Sequence, residues 1–70
     1  MTLNDFNLLN ECDRKATVFK DGIFIGLHQN ENEYITCFMI DHFFSELVYD
    51  KDMQEIIEVR SSKMLPSKFL

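Results

Sequence analysis

The sequence predicts a single small α+β domain: one main helix over about 10–20, packed on a four-stranded antiparallel meander, with a short C-terminal turn or helix. Three observations predict it. Residues 34–49, Tyr-Ile-Thr-Cys-Phe-Met-Ile-Asp-His-Phe-Phe-Ser-Glu-Leu-Val-Tyr, are apolar except at a polar break, Asp41-His42, and at Thr36, Ser45 and Glu46. They read as two strands and a tight turn. A helix-start signal at Asn10 precedes apolar residues at helical spacing. Seventy residues allow one domain, 1–70, and no more.

Each element has a local reason. Thr2-Leu-Asn-Asp5 can cap a brief turn anchored by Phe6, Leu8 and Leu9. Asn10 can accept from a free N–H of the next turn, and Glu11 and Asp13 then sit where the helix dipole favours anions. Cys12, Ala16 and Phe19 follow at helical spacing, with Val18 beside them. Gly22 is expected to end the helix in a left-handed position. Ile23, Ile25 and Leu27 alternate with Phe24, Gly26 and His28, a period of two that predicts a strand. Gln29-Asn-Glu-Asn32 is a polar turn. Strands are expected over 33–40 and 43–49, then a loop at Asp50-Lys-Asp-Met-Gln54 and a fourth strand over 55–61. Met64-Leu65-Pro66 can start a terminal turn that lets Phe69 and Leu70 dock.

With Asp41-His42 as the turn, the register follows, because side chains alternate between faces. One face carries Tyr34, Thr36, Phe38, Ile40, Phe43, Ser45, Leu47 and Tyr49. The other carries Ile35, Cys37, Met39, Phe44, Glu46 and Val48. An unpaired carboxylate is expensive to bury, so Glu46 marks its face as the outer one. Ile35, Met39, Phe44 and Val48 are then expected to be exposed on the monomer and to form an interaction surface. The rival expectation is that the C-terminal tail folds back over them through Met64, Leu65 and Phe69.

Composition excludes several function classes. The net charge of −5 and the scattered basic residues lack the positive stripe that a nucleic-acid partner requires. No apolar run approaches a membrane span, and no basic, apolar leader is visible at the start. Two cysteines, Cys12 and Cys37, make no disulfide framework, which fits a reduced, cytoplasmic protein. His28 and His42 fall at no zinc spacing. Asp50, Asp52 and Glu55 share a loop but lack the spacing and central glycine of an EF-hand. Gly22 and Gly26 form no phosphate-binding pattern. Cys12 lies near a helix start, but Glu11 and Asp13 flank it and oppose thiolate formation. No catalytic, cofactor-binding or metal-ligating residue is therefore assigned.

Four segments carry a family resemblance: Phe6-Asn7-Leu8-Leu9, Gly22-Ile23-Phe24-Ile25, Phe43-Phe44-Ser45-Glu46-Leu47 and Arg60-Ser61-Ser62. The chain resembles a family of small uncharacterised bacterial proteins. Their pattern runs Phe-Asn-x-Leu, a helix ending in Gly-x-Phe-Leu, a Tyr-containing strand, Phe-Phe-Val-Glu-Val, and Arg-Ser-Phe. Ser45 departs from the usual valine and Ser62 from the usual phenylalanine. The resemblance implies the order of elements and no activity.

The functional expectation is a non-enzymatic protein-interaction module without a cofactor, self-associating as a homodimer through Ile35, Met39, Phe44 and Val48, or binding another protein partner. The alternative is a small-ligand-binding protein with a pocket between helix and sheet near Cys12, Tyr34 and Tyr49. No nucleic acid and no membrane is expected as partner.

Overall fold

The computed structural model describes residues 1–70. Two helices precede four strands: α1 Leu3–Leu8, α2 Glu11–Asp21, β1 Ile23–Gln29, β2 Glu33–Ile40, β3 Phe43–Asp50 and β4 Glu55–Ser62. A single 3-10 turn, Ser67–Phe69, closes the chain. The strands form one antiparallel meander in the order β1-β2-β3-β4.

The helix starts are built by side chains that accept from free backbone N–H groups. Thr2 and Asp5 form a reciprocal capping box, so the expected brief turn becomes a true helix, α1. Asn10 accepts from the Asp13 N–H at 2.8 Å and starts α2 where expected. Gly22 caps α2, but not in the expected left-handed conformation: its φ is −75° and its ψ 141°. Its glycine answers to space instead. A Cβ there would lie 2.5 Å from the Val18 carbonyl oxygen and 3.1 Å from the Phe38 Cβ.

The β2–β3 pairing follows the expected register residue for residue, with Ile40 opposite Phe43, Phe38 opposite Ser45, Cys37 opposite Glu46 and Tyr34 opposite Tyr49. Asp41 turns the hairpin with φ 52°, a conformation that Asp tolerates better than most residues. The edge strands are less regular. A bulge at Ile25 breaks the period of two in β1, so Ile23 pairs with Met39 on one face while Leu27 pairs with Thr36 on the other. A second irregularity, at Ile57, interrupts β4.

The core joins Phe6 of α1 and Val18 of α2 to Ile40, Phe43, Leu47 and Val59 of the sheet. We call this side of the sheet the core face. The Phe6 and Phe43 rings meet at 5.2 Å. Ser45, buried on the same face, donates to the Arg60 carbonyl at 2.8 Å, so its hydroxyl carries no desolvation debt. Val18, not the stripe of Cys12, Ala16 and Phe19, is the buried position of α2.

The opposite side departs from expectation. Ile35, Cys37, Glu46 and Val48 are all buried, and Met39 and Phe44 are half-buried. The tail crosses this face. Phe69 lies over Gly26 of β1, where a Cβ would come within 3.3 Å of its ring. Lys68 reaches Glu46 at 3.0 Å. The inference that Glu46 marks an open face fails because the cation that allows its burial comes from far along the chain. Of the expected tail anchors, Phe69 and Leu65 are half-buried, whereas Met64 and Leu70 remain exposed.

Candidate functional site

The exposed apolar surface lies at the far end of the core face. Phe6 and Val18 fill the end nearest the β2–β3 turn. Beyond them a groove of about 380 Å³ runs across all four strands, lined by Phe19, Leu27, Tyr34, Phe38, Tyr49 and Ile56 together with Thr36 and Leu47. Phe19 is 66% exposed and Leu27 52%. Phe24 stands edge-on to Phe38 at 5.7 Å, just outside it. The groove arises from geometry: α2 directs Val18 inward and thereby leaves Phe19, its sequence neighbour, on the groove wall.

One end of the groove is charged. Tyr34 and Tyr49 face each other across β2 and β3 with ring centroids 6.0 Å apart. The Lys51 ammonium sits 4.6 Å above the Tyr34 ring, where the ring's quadrupole attracts it. It also donates to the Asn30 carbonyl at 2.6 Å, tying the β1–β2 loop to the β3–β4 loop.

The tail face holds the second cluster. Glu46 is 6% exposed and Lys68 is its cation. The contact is an ion pair rather than an aligned hydrogen bond. Cys37 lies opposite Glu46 in the neighbouring strand. Burial first, and then the Glu46 charge, push the Cys37 thiol up, while Lys68 pulls it down. A raised thiol is a poor nucleophile, so this cluster reads as packing. Cys12 is exposed and free. Arg60, opposite Glu46 on β4, is raised by its hydrogen bond to Glu58.

The remaining polar candidates do not converge. His28 is exposed on β1, far along the sheet from His42 at the β2–β3 turn. His42 lines a separate depression of about 440 Å³ with Asn4, Asn7 and Lys63. Its neighbour Asp41 is engaged by the Met1 amino group at 2.8 Å, which holds that carboxyl below the ordinary carboxylate range. Asp50 spends one carboxylate oxygen on the Asp52 and Met53 N–H groups, each at 2.9 Å. No three His, Cys, Asp or Glu side chains gather as a metal site would require. No helix is long and apolar enough to cross a membrane.

Of the residues expected to form the interaction surface, Ile35 and Val48 are therefore buried within the protomer, and Met39 and Phe44 are partly covered. Of the expected pocket residues, Tyr34 and Tyr49 line the groove and Cys12 does not. Sequence reasoning missed Phe19 and Leu27 because periodicity placed one in a helix and the other in a strand without showing what would cover either. It missed the Lys68–Glu46 pair because the partners are far apart in sequence. The chain matches no protein-family model, no curated protein and no solved structure.

Proposed function

We propose that this chain is a non-enzymatic interaction module that self-associates as a homodimer, with the exposed apolar end of the core face as its contact surface. The observation that supports the reading is the set of large side chains left in water there, Phe19, Leu27 and Tyr34, beside the apolar groove. Contiguous apolar patches beyond a few hundred Å² usually mark association sites. A domain of this size also gains from a partner, because its own core supplies only about 3–5 kcal/mol. In this reading α2 packs on the core face through Val18 and presents Phe19 to the partner.

Light scattering across a concentration series tests it. A mass near twice 8.3 kDa is expected for the unsubstituted chain. Phe19→Glu should shift it to a folded monomer, whereas Phe44→Glu, on the tail face, should leave the assembly unchanged. The reverse pattern would move the contact to the tail face, and a monomer at every concentration would refute self-association.

A second reading has its own observation. The groove is apolar along its length and carries the Lys51 ammonium at the Tyr34 end, an arrangement suited to a small amphipathic molecule with an anionic head. Ligand-dependent melting with a medium-chain carboxylate, abolished in Lys51→Ala, would favour it over self-association.

A further inference from the structure

We infer that the depression beside the β2–β3 turn binds a small organic monocarboxylate. It lies at the other end of the sheet from the apolar groove, so the inference stands apart from the self-association reading. Three segments distant in sequence build it: α1 supplies Asn4 and Asn7, the turn supplies His42, and the segment after β4 supplies Lys63. Its volume of about 440 Å³ falls within the roughly 300–1,000 Å³ of small-molecule sites.

The lining is rich in free donors. The chain carries 12 Asp and Glu residues against 7 Lys and Arg, yet no carboxylate lines the depression. Lys15 and Lys68 pair with Glu11 and Glu46, and Lys51 donates to the Asn30 carbonyl. Lys63 makes no ion pair. The Ser62 hydroxyl donates to the Met64 carbonyl at 2.9 Å and so bridges the backbone that carries Lys63. Asn7 accepts from the Ser61 hydroxyl through its amide oxygen, which leaves its NH2 group to donate elsewhere. Asn4 lies three residues earlier, on the same side of α1. Asparagine is a weak helix former, and Asn4 takes no part in the Thr2–Asp5 cap that starts this helix. His42 adds an imidazole, which can donate from a ring nitrogen.

Charge selects a monoanion. Asp41, beside His42, is engaged by the Met1 amino group at 2.8 Å, so those two charges offset each other. Asp5 turns its carboxylate to the Thr2 N–H and is not part of the lining. Among the lysine, carboxylate and terminal charges there, Lys63 alone is left uncompensated. A carboxylate matches it in charge, and its oxygens accept from ammonium and amide N–H groups alike. A phosphate would bring a second negative charge to a chain of net charge −5. The apolar part of the lining includes Met1 and Leu3, against which a short alkyl body can pack.

The test titrates the isotope-labelled full chain with butyrate at constant ionic strength and follows its backbone and asparagine side-chain amide resonances. Saturation at roughly millimolar butyrate is expected, the range open to so small a ligand, with the changes centred on Asn4, Asn7, His42 and Lys63. Lys63→Ala should weaken binding by about tenfold or more, because a hydrogen bond to a charged group is lost. Lys63 is exposed, so that variant keeps the fold, and Lys63→Arg, which keeps the charge, should retain binding. Lys51→Ala should change nothing, which separates this site from the groove. Shifts that never saturate, saturation around Tyr34 and Lys51 instead, or equal binding by Lys63→Ala would each overturn the site. Inorganic phosphate binding the same residues more tightly than butyrate would overturn the monocarboxylate class. None of these outcomes depends on whether the chain is a monomer or a dimer.

Discussion

Replacing Lys68 with alanine should expose Cys37 to solvent reagents. Glu46 is nearly buried and Lys68 is its cation at 3.0 Å. Removing one partner of a fully buried pair costs about 3–5 kcal/mol. The Lys68 side chain is 30% exposed, so water already shares its charge and the cost here is about half, ~2 kcal/mol. That cost falls on the closed tail, since an open tail lets Glu46 hydrate. At 1.4 kcal/mol per tenfold, the open population rises by about 30-fold. When opening and closing outpace labelling, the labelling rate follows that population. The assay is reaction with an aromatic disulfide at pH 8. The exposed Cys12 should react at once in both proteins, and the buried Cys37 about 30-fold faster in Lys68→Ala. Electrostatics cannot produce this result. Lys68 lowers the Cys37 pKa, so its loss leaves less thiolate and slows the intrinsic reaction. An unchanged or slower Cys37 rate would refute the view that the tail, held by this ion pair, shields the sheet.

Three further outcomes are expected. Gly22→Ala should destabilise by about 1–3 kcal/mol in urea unfolding, because its Cβ would clash with the Val18 carbonyl and Phe38; a more stable variant would show that spacing does not govern this position. Phe6→Ala should leave the chain largely unfolded by circular dichroism, since losing a fully buried Phe costs about 3–5 kcal/mol, comparable to the whole net contribution of such a core. Finally, the Cys37 thiol is raised in the folded state above its ordinary value of 9.0. Its contribution to stability is therefore fully present below pH 9.0 and lost as pH rises through the raised folded value. Cys37→Ala should flatten the alkaline limb of a stability–pH curve, and an unchanged limb would refute the assignment.

Sequence by itself determined the local structure. The Asn10 cap, the polar breaks near 30, 41 and 52 and the alternation along 33–50 depend on neighbouring residues. They set the α+β class, the meander and the central hairpin's register. The same locality explains the errors. Cys12, Ala16 and Phe19 fall at helical spacing with Val18 beside them, which predicts the helix but not its buried side; Val18 is the one that joins Phe6 and the sheet residues in the core. Glu46 reads as an outward carboxylate, yet it is buried, because burial of a charge depends on where its countercharge ends up, and Lys68 arrives only when the tail folds back. Tertiary structure therefore decided which sheet face is covered. It moved the open apolar surface from Ile35, Met39, Phe44 and Val48 to Phe19, Leu27 and the uncovered edge of β1, since periodicity assigns a residue to a face but not what will cover that face.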